Sequence, residues 1–300
     1  MELPECIMRI DTKFIAEHFC SVHLIKHSPN NYSIVEAGST LSVPPTIEFL
    51  VDHNVPLDAV KQIFITHAHL DHMGGVGLLS QKLPCATVYA HPAAVPHITD
   101  PLSKLAAAAI QVYGEKVFEK DYPNIQRMNP TRVIPLEHNQ EVAGFICLHT
   151  PGHAFHHAMF YFKQESVLFS GDGFGFGFKE IGLCPLLCTS PSQFDAKAWK
   201  QTVQIVKELE PKIIQPTHFD CFDGQNLNKI IESIIRQLDE CDKIIQQCDT
   251  EGEIKDKFRN LIKQELEHFE VHNVERAWEI TQGDINADGL FYRVQRRLAK

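Results

Sequence analysis

Residues Thr66 to His72 read T-H-A-H-L-D-H, directly after the apolar run Ile63-Phe64-Ile65 and just before the pair Gly74-Gly75. Three imidazoles and a carboxylate at the tip of a strand have few structural uses. A strand tip running into a tight turn sends alternate side chains in different directions. His67 and His69 are therefore expected to point one way, and Asp71 and His72, on the turn, toward a neighbouring spot. That arrangement suits two metal ions held side by side by neutral imidazoles and a carboxylate. A lone histidine on an apolar strand reads as packed core, but four metal-capable residues at this spacing do not.

A dinuclear site needs further ligands, and the same device recurs three times downstream. Phe145 to Leu148 is strand-like and ends in His149-Thr150-Pro151-Gly152-His153, where proline and glycine force a turn that presents His153. Val167 to Gly171 is apolar and closes on Asp172, and Lys212 to Gln215 leads into Pro216-Thr217-His218. Each is a hydrophobic strand with a metal-capable residue at its C-terminal end.

On THAHLDH, TPGH, SGD and PTH, the chain resembles the metallo-β-lactamase superfamily over about residues 10 to 222. The resemblance implies an α+β four-layer αββα sandwich, two mixed sheets face to face with helices outside. It implies that His67, His69 and His153 bind one metal, that Asp71, His72 and His218 bind the other, and that Asp172 bridges them. Keeping Asp71 and His72 together with an Asp172 bridge is more similar to glyoxalase II, lactonases and the quinolone-signal response thioesterase than to antibiotic-degrading lactamases. One departure stands out. Where the family commonly has an aspartate before a small residue and glycine, this chain has Glu36-Ala37-Gly38, and Glu36 is expected to support the ligands by hydrogen bonding.

The implied chemistry is attack on a carbonyl of a thioester, ester or lactone by a hydroxide bridging two divalent ions, zinc foremost, with iron or manganese compatible. Asp71 is the candidate to orient that hydroxide or carry its proton. Two other readings remain open: a phosphodiesterase of the same fold, and a diiron redox, oxygen-binding or regulatory protein.

A net charge of −10 argues against nucleic acid as a partner, since polyanion affinity comes from Lys and Arg. The basic tail Arg293 to Lys300 reads as the end of a last helix. No run of 18 apolar residues is present, so no membrane span is expected. The acidic, proline-broken Met1 to Cys6 lacks the pattern of a secretory signal, and nine cysteines without a CxxC pair read as thiols of a reducing, cytoplasmic setting.

Along the chain, strands are expected near residues 14–18, 21–26, 32–35, 61–65 and 86–90, and helices near 45–53 and 74–82. A helical insertion, about 91–128, carries a helix over 102–120 with Tyr113 as a candidate lid residue. His156, in G-H-A-F-H-H, and the rings Phe174 and Phe176 of the alternating Gly/Phe stretch 173–178 are candidate substrate contacts. The metallo-β-lactamase-like domain is expected to span 1–222. From 223 to 300 the apolar residues recur at three and four, which predicts a helical extension, a cap or homodimer surface, punctuated at Gly252. Asp284-Ile285-Asn286-Ala287-Asp288-Gly289 matches the first half of a calcium-binding EF-hand loop, but position twelve is Gln295 instead of a bidentate glutamate, so the segment reads as a connection between helices.

Overall fold

Ile63, Phe64 and Ile65 have no solvent-exposed surface, as befits a parallel strand covered on both faces. The computed structural model describes residues 2–103 and 105–299; Met1, Lys104 within the expected 102–120 helix, and Lys300 of the basic tail lie outside the described residues. The described chain forms two compact units, one of residues 2–149 and 156–165, the other of residues 150–155 and 166–299.

The first unit holds a six-stranded sheet in sequence order. β1 (Ile7–Asp11), β2 (Ser21–Ser28) and β3 (Asn31–Val35) form an antiparallel meander, and β4 (Val60–Ile65), β5 (Thr87–Ala90) and β6 (Val133–Pro135) continue it in parallel. Parallel pairing requires crossovers. α1 (Val43–Asp52) supplies the first; the short α2 (Leu70–Met73) and α3 (Val76–Lys82) supply the second; α4 (Val95–Thr99), α5 (Leu105–Tyr113) and α6 (Glu115–Asp121) supply the third. A further antiparallel ladder, β7 (Glu141–Val142), β8 (Phe145–His149) and β9 (Ala158–Phe162), completes the unit. Phe64 of β4 packs 4.6 Å from Phe145 and 5.0 Å from Phe160, centroid to centroid, so aromatic rings from the two ladders make the core.

Two expectations are corrected here. Residues 14–18 are not a strand. The Asp11 carboxylate accepts the backbone N–H groups of Lys13 (2.9 Å) and His18 (3.0 Å), and Lys13, Ile15 and His18 have positive φ, so the segment curls while Ile7–Asp11 pairs with β2. The single helix over 102–120 is two, α5 and α6, separated at Gly114.

The second unit holds β10 (Val167–Gly171) parallel to β11 (Ile213–Pro216), with β12 (Phe222–Asp223) antiparallel to β11. Its helices are α7 (Ala196–Leu209), α8 (Leu227–Gln247), α9 (Glu251–His268), α10 (Val274–Ile280) and α11 (Gly283–Leu298). The stripe Ile230, Ile234, Leu238, Cys241 and Ile244 of α8 is buried, with α7, α9 and α11 packed around the helix. The break before α9 falls at Cys248–Thr250, where Thr250 and Glu253 form a reciprocal capping box, and Gly252 lies inside the first turn. The EF-hand-like hexapeptide is not a connection but part of α11. No helix among the described residues is long and apolar enough to cross a membrane.

At the ends of β5 and β8 the rings of His91 and His149 lie 4.1 Å apart, with His138 5.7 Å from His149. Burial, and then the charge of His149, lower His91 from 6.5 to about 4. A depressed imidazole takes its proton less readily folded than unfolded. Its contribution to stability is therefore complete above pH 6.5 and lost as the pH falls toward 4. The fully buried His23, also lowered, acts in the same direction. We expect the melting temperature to fall across this window, and His91→Asn, which keeps an acceptor for the Ala93 N–H, to flatten the fall. Identical pH slopes in the two proteins would remove His91 from the account.

Candidate metal centre

β4 delivers the motif at its C-terminal end. His67 is fully buried, His69 occupies the N-cap position of α2 in extended conformation, and Asp71 and His72 lie in the first turn of that helix. The change from strand to helix across the four residues Thr66 to His69 is what separates the two directions of the side chains.

Beneath the motif lies Glu36, buried at the end of β3 with φ of 70°. Its carboxylate accepts the Thr66 hydroxyl proton and the Thr66 backbone N–H (3.3 Å), and its Oε1 is 3.0 Å from Nδ1 of His72. The hydrogen-bonding role expected of Glu36 is thus present. A carboxylate oxygen accepts, so His72 donates from Nδ1 and turns Nε2 to the other side. That Nε2 faces Oδ2 of Asp71 at 3.5 Å. His67 lies with Nε2 3.0 Å from His69 Nδ1, and Glu36, His67 and His72 offer three ligand atoms within 4.8 Å of one another.

The second unit builds a matching group. β10 and β11 are parallel neighbours with Gly171 paired to Pro216, so Asp172 and His218 leave the ladder side by side. His153 comes from the turn Thr150-Pro151-Gly152-His153, where Gly152 has φ of 144° and a Cβ there would stand 2.4 Å from that of Trp199, so only glycine fits. Trp199, fully buried on α7, also donates its indole N–H to the Gly173 carbonyl (2.7 Å), fixing the residue after Asp172. His153 Nδ1 donates to the carbonyl of Cys188 (2.8 Å), and its Nε2 is 3.5 Å from Asp172 Oδ2; His218 Nε2 is 3.5 Å from Asp172 Oδ1. Each oxygen of the carboxylate thus faces one imidazole, the pattern of a bridge.

These donor sets fit divalent ions. At His72 and at His153 one ring nitrogen is anchored by a hydrogen bond and the other stands 3.5 Å from a carboxylate oxygen, the imidazole and carboxylate donor chemistry of a metal-ligand set. The set of neutral imidazoles and carboxylates suits zinc, iron or manganese.

The remaining candidates take other places. His156 is buried and its Nδ1 accepts the Ala68 N–H (3.3 Å), so it props the middle of the motif loop. His157, fully buried, lies 5.1 Å from the His67 ring. Phe174, Phe176 and Phe178 are all buried; Phe176 is 5.5 Å from Phe178 and 5.2 Å from the His218 ring. Tyr113 is half-buried and 6.0 Å from Tyr122. Nothing in the sequence pattern singles out Tyr122. It is buried beside Phe14, and desolvation first, then Tyr113 and Asp71, raise its phenol well above the usual value. The nine cysteines form no disulfide, and burial pushes the Cys184 thiol up.

The Metallo-beta-lactamase superfamily profile matches residues 15–218, a span that contains both groups of ligands. A metallo-beta-lactamase fold-containing protein of Sulfurisphaera tokodaii is 29% identical over 191 residues, 61% of this chain and 67% of that protein. A hydroxyacylglutathione hydrolase of Pelagibacter ubique is 28% identical over 160 residues; the match covers 50% of this chain and 54% of the relative, so the chain spans about half the length of that enzyme. The crystal structure of an archaeal metallo-beta-lactamase superfamily protein from Sulfolobus tokodaii superposes with a TM-score of 0.67 at 23% identity, covering 96% of this chain and 99% of that one. With two mixed sheets, helices and a helical C-terminal region, an α+β sandwich, the chain belongs to the metallo-beta-lactamase superfamily.

Proposed function

We propose that the two ligand groups act as one dinuclear metal centre and that the protein hydrolyses a carbonyl ester, thioester or lactone of a small molecule. In this reading His67, His69 and His153 hold one ion, Asp71, His72 and His218 the other, and Asp172 serves both. The observation that carries it is the pair of anchored imidazoles. His72 and His153 have Nδ1 committed to Glu36 and to the Cys188 carbonyl and present Nε2 to carboxylates at 3.5 Å. One family profile running through both groups supports their joint action, and the similarity to a hydroxyacylglutathione hydrolase supports a hydrolase.

When bound, two such ions supply an acidified water and polarise the substrate carbonyl. The residues do the rest. Asp71, whose side chain keeps 21% of its surface exposed, is the carboxylate open to solvent and substrate, and it orients the attacking water and takes its proton. Tyr122, held protonated beside Asp71, is a donor near the same place. Tyr113, half-buried, offers apolar surface to an acyl or aromatic group, and Phe176 backs the His218 ring. A thioester, ester or lactone suits this set because its leaving group needs little protonation. The charge of −10 stands against an extended polyanion.

Three outcomes follow. Elemental analysis of the purified protein is expected to give two divalent ions per chain, with both weakened in Asp172→Ala and one lost in His69→Ala or His153→Ala; full occupancy in Asp172→Ala would end the bridging assignment. Glu36→Ala is expected to lower metal affinity by about 10- to 100-fold, as loss of a ligand's supporting hydrogen bond does, measured by chelator competition. In a panel of thioesters, lactones and phosphodiesters, turnover should be fastest on a carbonyl substrate, and a generic phosphodiester outpacing all of them would overturn the substrate class.

A further inference from the structure

The hexapeptide that resembles half a calcium loop has a different use. On α11, Asn286 is buried and accepts the backbone N–H of Thr189 on its Oδ1 (2.6 Å). Its backbone carbonyl accepts the Thr189 hydroxyl (2.8 Å), and its Nδ2 donates to the Thr281 carbonyl (2.7 Å), which fixes the amide's orientation. One turn later, Gly289 lies so close to this segment that a Cβ would stand 1.6 Å from the Thr189 carbonyl oxygen. From α8, Gln237 accepts the Leu187 N–H (3.1 Å) and donates to the Pro185 carbonyl (3.0 Å). Two buried amides from the C-terminal helices thus bracket Cys188.

The N–H of Thr189 and the C=O of Cys188 belong to the same peptide group. That group is a rigid plane, and its carbonyl accepts the Nδ1 proton of His153 at 2.8 Å. We propose that Asn286 is a positioning residue for the metal centre. By holding the Thr189 N–H it sets the plane whose carbonyl fixes the tautomer and ring direction of His153, with Gln237 steadying the segment on the other side. Hydrogen bonds in series polarise one another, so the chain from Asn286 through the peptide to His153 also favours the lone pair on Nε2. The inference rests on His153 being a metal ligand, as proposed above. It gives the C-terminal helices a role in the site that lies in holding a ligand.

The test uses cobalt(II) as probe on the full-length protein, with affinity read by chelator competition and the ligand field by the visible spectrum. Asn286→Ala is expected to leave one ion at wild-type affinity and to weaken the other by about 10- to 100-fold with an altered spectrum. Asn286→Asp, which keeps an acceptor for Thr189, should recover most of the loss. Leu290→Ala, a buried truncation one turn along the same helix that removes none of these hydrogen bonds, should lower the melting temperature without changing the spectrum. Unchanged cobalt affinity in a folded Asn286→Ala protein, or an equal loss in Leu290→Ala, overturns the proposal. Failure of the wild type to take up cobalt instead sinks the metal-centre reading. Should Asn286→Ala not fold, 15N-histidine spectra of the wild type decide. A His153 Nδ1–H protected from solvent exchange, with and without zinc, is expected, and a rapidly exchanging one or an Nε2–H tautomer overturns it.

Discussion

A neutral imidazole has one proton and one lone pair, and the structure decides which nitrogen carries which. At His72 the proton is claimed by the Glu36 carboxylate, and at His153 by the Cys188 carbonyl. The lone pair is thereby aimed at a carboxylate in both cases. Burying these groups costs free energy unless their polar atoms are satisfied, and the two acceptors meet that cost at Nδ1. Strand ends, the glycine at 152 that admits Trp199, and the segment 185–189 all serve to place those two acceptors.

Glu36 shows how the fold absorbs a departure from the family pattern. Glutamate is one methylene longer than aspartate, and an L-residue with φ of 70° is strained. The strain is tolerated because the carboxylate is bonded by the Thr66 hydroxyl, the Thr66 N–H and His72 at once. A strained residue over-determined by three partners, next to a ligand, is where local preference is expected to yield to function.

Much of this was legible in the sequence because apolar runs ending in His or Asp are a one-dimensional signal. Ile63 to Ile65, Phe145 to Leu148 and Val167 to Gly171 are strands as expected, and the three-and-four spacing after Gly224 is helix. Of the two acceptors, Glu36 was legible as a departure from the family pattern, whereas the Cys188 carbonyl was not, since a backbone carbonyl carries no residue signature. Residues 14–18 look like a strand by composition, but Asp11 caps the backbone locally and wins over the apolar pattern. α7 has a local signature as well: Asp195, which caps it through the Ala198 N–H, precedes Trp199, Val203 and Val206 at helical spacing. The Asn and Gly of the calcium-like hexapeptide are turn formers by local propensity. They lie in a helix because Asn286 bonds Thr189 and Gly289 admits the Thr189 backbone, both contacts across nearly a hundred residues of sequence.

The C-terminal helices have the rigidity that such a role demands. Glu265, buried on α9, accepts from the Ser233 hydroxyl (2.7 Å) and from two nitrogens of Arg236 (3.0 and 2.8 Å) on α8. A charge in that position is stable only with its partners in place, so the bonds lock the register of the two helices. Gln237, the next residue on α8, shares this network through Ser233 (3.1 Å) while it holds Leu187 and Pro185. Apolar packing alone would allow the helices to slide by small amounts at little cost, whereas a bidentate ion pair and two oriented amides do not. The polar contacts inside the helical region therefore do what its hydrophobic stripe cannot. They transmit a fixed position from α8 and α11 to one peptide plane, and from that plane to one imidazole.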